Sequence, residues 1–343
     1  MTNKNFFKNK CILVTGGTGS LGNKFVEYLL NNHSLKKIII YSRDELKQSI
    51  MSQKFSVKKY NCMRYFLGDV RDLDRLSMAM QDVDYVLHAA ALKHVNIAEY
   101  NPFEFIKTNI LGAENVVRAS IKNNVKKVIA MSTDKAVDPI NLYGATKLTS
   151  DKIFTSSNNI VGLKKHTRFS VVRYGNVFAS RGSVVPLFYD LESKKEKNFP
   201  ITDLRMTRFL ITLNQSINFI VQSFLEMQGG EIFIPKIPSV KIIDLAKAIM
   251  PNCNFKIVGI RPGEKIHEKL CSINESNYVL EFRTYFIIKP SITFFENSSN
   301  YQINKFKEKG KKVSDDFEYC SSTNKDFLNI AGIKELLKHN IEI

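Results

Sequence analysis

Tyr143 and Lys147 stand four residues apart in the run Tyr-Gly-Ala-Thr-Lys. On a helix, that spacing puts a phenol and an ammonium on one face. A tyrosine with its ordinary pKa of about 10 is a poor base near neutrality. A neighbouring positive charge favours the phenolate, which can then take a proton from a substrate hydroxyl. The same spacing also occurs as a plain surface pair. Just upstream lies Ser132-Thr133-Asp134-Lys135. Thr133 can share a hydrogen bond with a hydroxyl that is being oxidised. Asp134 and Lys135 add two titratable groups where simple alcohol oxidation needs only the tyrosine. That surplus points to proton chemistry beyond one hydride transfer; the plain alternative is a capped turn with its charges in solvent.

A hydride needs a carrier, and the N-terminal region supplies a place for one. Thr15-Gly16-Gly17-Thr18-Gly19-Ser20-Leu21-Gly22 follows the apolar run Cys11-Ile-Leu-Val. Gly16 permits a tight turn, Gly19 a close backbone approach to pyrophosphate, and Gly22 close packing of a helix on a sheet. Thr15, Ser20 and Leu21 complete the loop, and the helix that follows offers unpaired N–H groups to phosphate. The next strand ends at Ser42-Arg43. An acidic side chain there would accept bonds from ribose hydroxyls; a hydroxyl and a guanidinium suit a 2′-phosphate instead, so NADP is expected rather than NAD. Asp69 and Val70 end the third strand, where Asp69 can meet the adenine. Ala89 and Ala90 end the fourth, where small side chains let the backbone pass beneath the cofactor.

The elements that must hold these groups are readable in order. Apolar runs at Cys11–Thr15, Lys37–Tyr41, Met63–Leu67, Tyr85–His88, Lys127–Ser132 and Phe169–Tyr174 read as strands. Helical stretches at Asn23–Asn31, Asp72–Met80, Pro102–Ile121 and Tyr143–Phe154 separate them. Strand, glycine turn, helix, strand is the opening of a doubly wound parallel α/β sheet of Rossmann type. Residues 1–175 therefore read as the NADP-binding core. Residues 176–343 read as a smaller mixed substrate-binding lobe, with about 205–235 returning to the core. That stretch includes a helix near Leu213–Met227, followed by a strand at Glu231–Ile234, a helix at Val240–Met250 and a strand at Lys256–Gly259.

With 343 residues the chain can bury a large core. Its net charge of +17 comes from dispersed basic residues rather than a basic block, so it reads as a general lysine excess rather than nucleic-acid binding, although a basic cleft would also attract a diphosphate substrate. Five cysteines at unrelated spacings and six scattered histidines give neither a disulfide framework nor a metal site. No apolar run approaches the roughly 20 residues of a membrane span, and the N-terminus does not read as a signal peptide. A cytoplasmic protein is expected.

Together TGGTGSLG, YSRDELKQS, GDVRDLDRL, HAAALKHV, STDKAVDPINLYGATK, VVRYGNV and RPGEKIHE resemble the UDP-N-acetylglucosamine 4,6-dehydratase family of the extended short-chain dehydrogenases. They are most similar to its C5-inverting branch, which serves pseudaminic acid biosynthesis and flagellin glycosylation. The resemblance runs through at least residue 290. It implies a homo-oligomer with a UDP-sugar cleft between the lobes, Lys147 holding the nicotinamide ribose, and Lys93, His94 and Asn109 near the hexose and nicotinamide. It places Asn176 at the diphosphate, Arg181 in the following substrate loop, Arg208 and Arg261 at the nucleotide phosphates, and Glu264 at the ribose. It also implies oxidation at C4, loss of water across C5 and C6, and return of hydride to C6. Retaining relatives carry glutamate after the Thr-Asp pair, so Lys135 becomes the expected C5 base, made neutral by burial beside the nicotinamide. A C5 epimerase or a retaining dehydratase shares the fold. An NADP-sensing or nucleic-acid-binding protein is the alternative of another class, and it would not need the Tyr143–Lys147 pair.

Overall fold

The computed structural model describes residues 5–161, 166–178, 183–292 and 300–340. A buried strand, β1 (Cys11–Thr15), leads through the glycine loop into α1 (Ser20–Asn32) and returns as β2 (Lys37–Ser42). The pattern repeats with α2 (Glu45–Lys54), β3 (Met63–Leu67), α3 (Leu73–Ala79) and β4 (Tyr85–His88). Two short helices, α4 (Val95–Tyr100) and α5 (Pro102–Phe105), precede α6 (Gly112–Lys122) and β5 (Lys127–Thr133). Then come α7 (Leu142–Ser156) and β6 (Arg168–Tyr174).

The strands form one ten-stranded sheet. β3, β2, β1, β4, β5, β6 and Ile232–Pro235 are parallel in that spatial order. Tyr285–Ile288, Val279–Glu281 and Lys311–Lys312 extend it antiparallel. The order reverses at β1, so the carboxyl ends of β1 and β4 splay apart and leave a crevice, the place where ligands settle in sheets of this kind. Because the parallel strands are covered on both faces, β1 and β2 are buried almost end to end. The helix at Leu213–Glu226 contributes Phe219, Ile220 and Phe224 to this core. A second apolar cluster gathers Phe178, Val185, Phe188, Phe199, Leu245 and Ile333, with Phe188 and Phe199 rings 4.9 Å apart.

Several local expectations differ from the structure. The stretch expected as one helix from Pro102 breaks into α5, a π-helical segment at Ile106–Leu111, and α6. The wider turn buries the adjacent Thr108 and Asn109 together. α2 buries only Gln48 and Met51, while its Leu46 and Ile50 are exposed. It forms because Asp44 caps it, accepting from Lys47 N at 2.9 Å. The strand expected near Lys256–Gly259 lies at Asn254–Ile257 and pairs with Asn198–Ile201. Helices at Val184–Ser193 and Ile330–Asn340 occupy stretches that read as irregular.

Candidate active site

The crevice at the strand ends is a cleft of about 710 Å³. Its floor is the glycine loop. Gly16 has φ +64°, and a Cβ there would stand 2.8 Å from Ala90 N. A Cβ on Gly22 would stand 2.3 Å from Gly17 O. The Gly19 cap and first turn of α1 carry neither a capping side-chain bond nor an acidic residue. Its leading N–H groups are thus left for an anion. A dinucleotide pyrophosphate fits this cradle. Gly16→Ala is therefore expected to weaken dinucleotide binding at least tenfold, since the added methyl meets backbone and the left-handed φ is unfavourable for alanine. Calorimetric titration of the folded variant checks it; wild-type affinity would show that the loop has room to spare.

Gly19, Ser20, Leu21, Ser42, Arg43, Asp69, Val70, Ala89, Ala90, Lys93 and His94 line the cleft, as do Thr133, Asp134, Lys135, Tyr143, Lys147 and Asn176. Thr15 lies beneath it, its Oγ1 2.8 Å from His88 Nδ1 and accepting from Ala90 N. Asn109 is spent on structure: it accepts from Leu92 N and donates to Leu92 O and Thr146 Oγ1, tying the segment after β4 to α7. Arg208 is likewise committed, donating to the carbonyls of Thr207, Lys265 and Ile266. Glu264 sits outside the lining with its Oε2 3.4 Å from Thr202 Oγ1, and Arg261 is exposed in the same loop. Arg181 falls outside the described residues. Thr108 and Ser183, which the sequence reading did not single out, also line the cleft, and their buried hydroxyls have no partner among the described residues.

The reactive groups converge where β5 meets α7. Asn141 caps α7 by accepting from Gly144 N at 2.7 Å and donates to Gly263 O at 2.7 Å. A Cβ on Gly144 would stand 2.2 Å from Lys135 O, so a glycine after Tyr143 lets the helix lie directly on the 134–136 turn. Burial pushes the Tyr143 phenol up to about 12, against the lowering effect of the Lys135 charge and of hydrogen bonding with Thr133. Lys147 donates to Met131 O at 2.7 Å. Burial lowers its pKa, while Asp151, one turn further along the same face, opposes that shift.

Lys135 departs from expectation. Burial does favour its neutral form, but two carboxylates outweigh it and raise the pKa above the ordinary lysine value. Its Nζ lies 3.1 Å from Asp134 Oδ1 and 3.2 Å from Glu268 Oε1. Lys135 is thus an ammonium in this structure rather than a free amine. Glu268 was missed by the sequence reading, as were Asp151 and Arg173. Arg173 is buried, 3.3 Å from Asp151 Oδ2 and 3.1 Å from Glu275 Oε1, and Asp151 also accepts from Ser132 at 2.7 Å. The i+4 spacing from Lys147 was the one signal that could have pointed to Asp151.

No cluster of metal-ligating side chains exists among the described residues, and no helix among them is long and apolar enough to cross a membrane.

The expectation of NADP does not survive comparison with related structures. A dTDP-glucose 4,6-dehydratase from Streptomyces venezuelae shares this fold at TM-score 0.65 and 20% identity, over 74% of this chain and 86% of that one, and holds NAD. A UDP-glucuronic acid 4-epimerase from Bacillus cereus, at TM-score 0.64 and 19% identity over 76% and 88%, also holds NAD. The reason is visible in the cleft. Arg43 turns toward the Asp69 carboxylate at 3.5 Å, Ser42 Oγ accepts from Gln48, and Asp44 lines the same end. The guanidinium and hydroxyl that the sequence offered to a 2′-phosphate are thus engaged within the protein.

A family described as polysaccharide biosynthesis proteins matches residues 12–290. The chain is 56% identical over 333 residues to the UDP-N-acetylglucosamine 4,6-dehydratase (inverting) of Campylobacter jejuni, covering 97% of this chain and 98% of that protein. Its fold is similar to the X-ray structure of Pen from Bacillus thuringiensis at TM-score 0.85 and 35% identity, over 97% and 99%. With the dinucleotide cradle and the Tyr143–Lys147 pair in place, the chain belongs to the polysaccharide biosynthesis protein family.

Proposed function

We propose that this chain is an inverting UDP-N-acetylglucosamine 4,6-dehydratase that uses NAD. The observation that carries the reading is the meeting of Thr133, Asp134, Lys135 and Tyr143 at one wall of the cleft, in a chain 56% identical to an enzyme of that description. Residues 1–175 hold the cofactor. The second apolar cluster and the loop at 258–268 form the sugar-nucleotide side, with Asn176, Arg261 and Glu264 toward the UDP and Lys93 and His94 toward the hexose. Asn109 and Arg208 act through the backbone segments they pin.

The cradle of Gly16, Gly19 and the first turn of α1 would hold NAD, which would supply hydride chemistry, acceptance from C4 and return to C6. Tyr143 takes the C4 hydroxyl proton, with Thr133 sharing the hydrogen bond and Lys147 supplying positive charge. The C4 ketone then acidifies the C5 proton. One proton shift prepares both groups that elimination needs: the Lys135 ammonium passes a proton to Asp134 across their 3.1 Å contact. The neutral amine removes the C5 proton, and the Asp134 carboxylic acid protonates the C6 hydroxyl, which leaves as water. Both groups return to their starting charge. The proton that Tyr143 took from the C4 hydroxyl is then given to C5 on the opposite face, which completes the inversion and returns Tyr143 to the form that starts the cycle.

The test is turnover of UDP-N-acetylglucosamine deuterated at C4, followed by product NMR. The label should move to C6 of a 4-keto-6-deoxy sugar with the L configuration at C5, without net NADH. A product that keeps its C6 hydroxyl, or retains the D configuration, would overturn the reading. The first outcome has a concrete precedent among relatives, since a UDP-glucose 4-epimerase from Rickettsia bellii is 42% identical over 96% of this chain and 96% of its own.

A further inference from the structure

We propose that Glu268 is a positioning residue of this site, holding the Lys135 ammonium from behind and setting the charge with which Lys135 enters the reaction. The proposal rests on the dehydratase reading above and deepens it. Glu268 is 2% exposed and lies outside the cleft lining, so it does not reach the sugar. One carboxylate oxygen is 3.2 Å from Lys135 Nζ, and the other is buried with no partner among the described residues. A buried carboxylate in that state is costly unless its counter-charge is held close.

The backbone is built to keep it there. Glu268 N donates to Ser321 Oγ at 2.9 Å, and Ser321 N donates to Glu268 O at 2.8 Å. Ser321 Oγ also meets Thr207 Oγ1 at 2.7 Å, and Thr207 Oγ1 meets His267 Nδ1 at 2.8 Å. The Glu268 backbone is therefore held by Ser321, which is itself tied to Thr207, and this fixes the point from which the carboxylate reaches Lys135. The result is one ammonium between two carboxylates of different duty. Asp134 opens on the cleft and acts on the C6 hydroxyl, while Glu268 stays behind as the constant anion. The other charges around Lys135 are Arg208, which lowers its pKa, and the phenol of Tyr143; Lys265 faces the same carboxylates.

Removing the rear carboxylate makes Lys135 easier to deprotonate, because an opposite charge at this range shifts a pKa by about 1–3 units. In Glu268→Gln, the Lys135 titration followed by side-chain NMR should move to lower pH by about one unit or more. The alkaline limb of kcat should move with it, because the mechanism starts from the Lys135 ammonium, while KM for the sugar nucleotide is unchanged. An unmoved Lys135 titration overturns the proposal. So does a kcat lowered equally at every pH, which is what a merely structural residue would give. Should Glu268→Gln fail to fold, Glu268→Asp decides. Its shorter carboxylate withdraws from Lys135, and a downward-shifted titration supports the role, whereas a wild-type titration overturns it. The NMR titration needs no turnover, so it still decides the role of Glu268 if the wild type proves not to dehydrate UDP-N-acetylglucosamine.

Discussion

Tyr143→Phe should lose about 10³-fold in kcat while keeping wild-type affinity for NAD, because it removes one oxygen and the proton transfer that oxygen performs. The phenol is nearly buried, and burial pushes its pKa up to about 12, so the phenolate depends on positive charge placed beside it. Lys135 supplies such a charge, and Lys147 stands one turn away, held in place through Met131 O. Adding oxidised cofactor at neutral pH should accordingly produce a phenolate difference absorbance in the wild type and none in Tyr143→Phe. Turnover within tenfold of wild type in the variant would move the base elsewhere, with Lys135 the next group along the wall.

Arg173→Leu should destabilise the fold by about 3–5 kcal/mol, the usual cost of removing one partner from a buried ion pair. Arg173 is 1% exposed and bridges Asp151 on α7 to Glu275 in the C-terminal half. Without it, Asp151 is left buried with Ser132 and the more distant Lys147 as its support. Burial already holds the Asp151 carboxyl above its ordinary range, against the pull of Arg173 and Lys147. The double variant Arg173→Leu, Asp151→Asn should recover part of the loss, since it removes the uncompensated charge as well. Urea denaturation of the three proteins measures this. A loss below about 1 kcal/mol in the single variant would mean that water reaches and solvates the cluster.

What could be read before the structure was local. The glycine loop, the strand order and the Tyr143–Lys147 face each depend on residues a few positions apart, so spacing alone carries them. Where the deciding contact is distant, the reading failed. Ser42-Arg43 looked like a 2′-phosphate site because nothing in that stretch shows that Asp69 faces Arg43. Lys135 read as a neutral amine because its second carboxylate comes from Glu268. Asn109 and Arg208 were expected at the ligand from the resemblance, and their side chains are bonded to backbone carbonyls, contacts that no local stretch of sequence shows. The π-helical segment at Ile106–Leu111 leaves no mark in apolar periodicity. The helix at Val184–Ser193 hides behind Pro186, which the first turn of a helix tolerates.

The mutual pair of hydrogen bonds between Glu268 and Ser321 has a consequence for how the enzyme comes into being. The glycine loop and the Tyr143–Lys147 helix leave the ribosome early and can collapse onto the parallel strands as they emerge. The clasp around the Lys135 ammonium cannot close until Ser321 has been translated and has threaded back against the strand at Lys269–Cys271, where Tyr319 and Cys320 pair. A nascent or prematurely terminated chain would therefore own a cofactor cradle and a tyrosine but lack the finished proton-handling wall. Ripening of the site waits on the segment around Ser321.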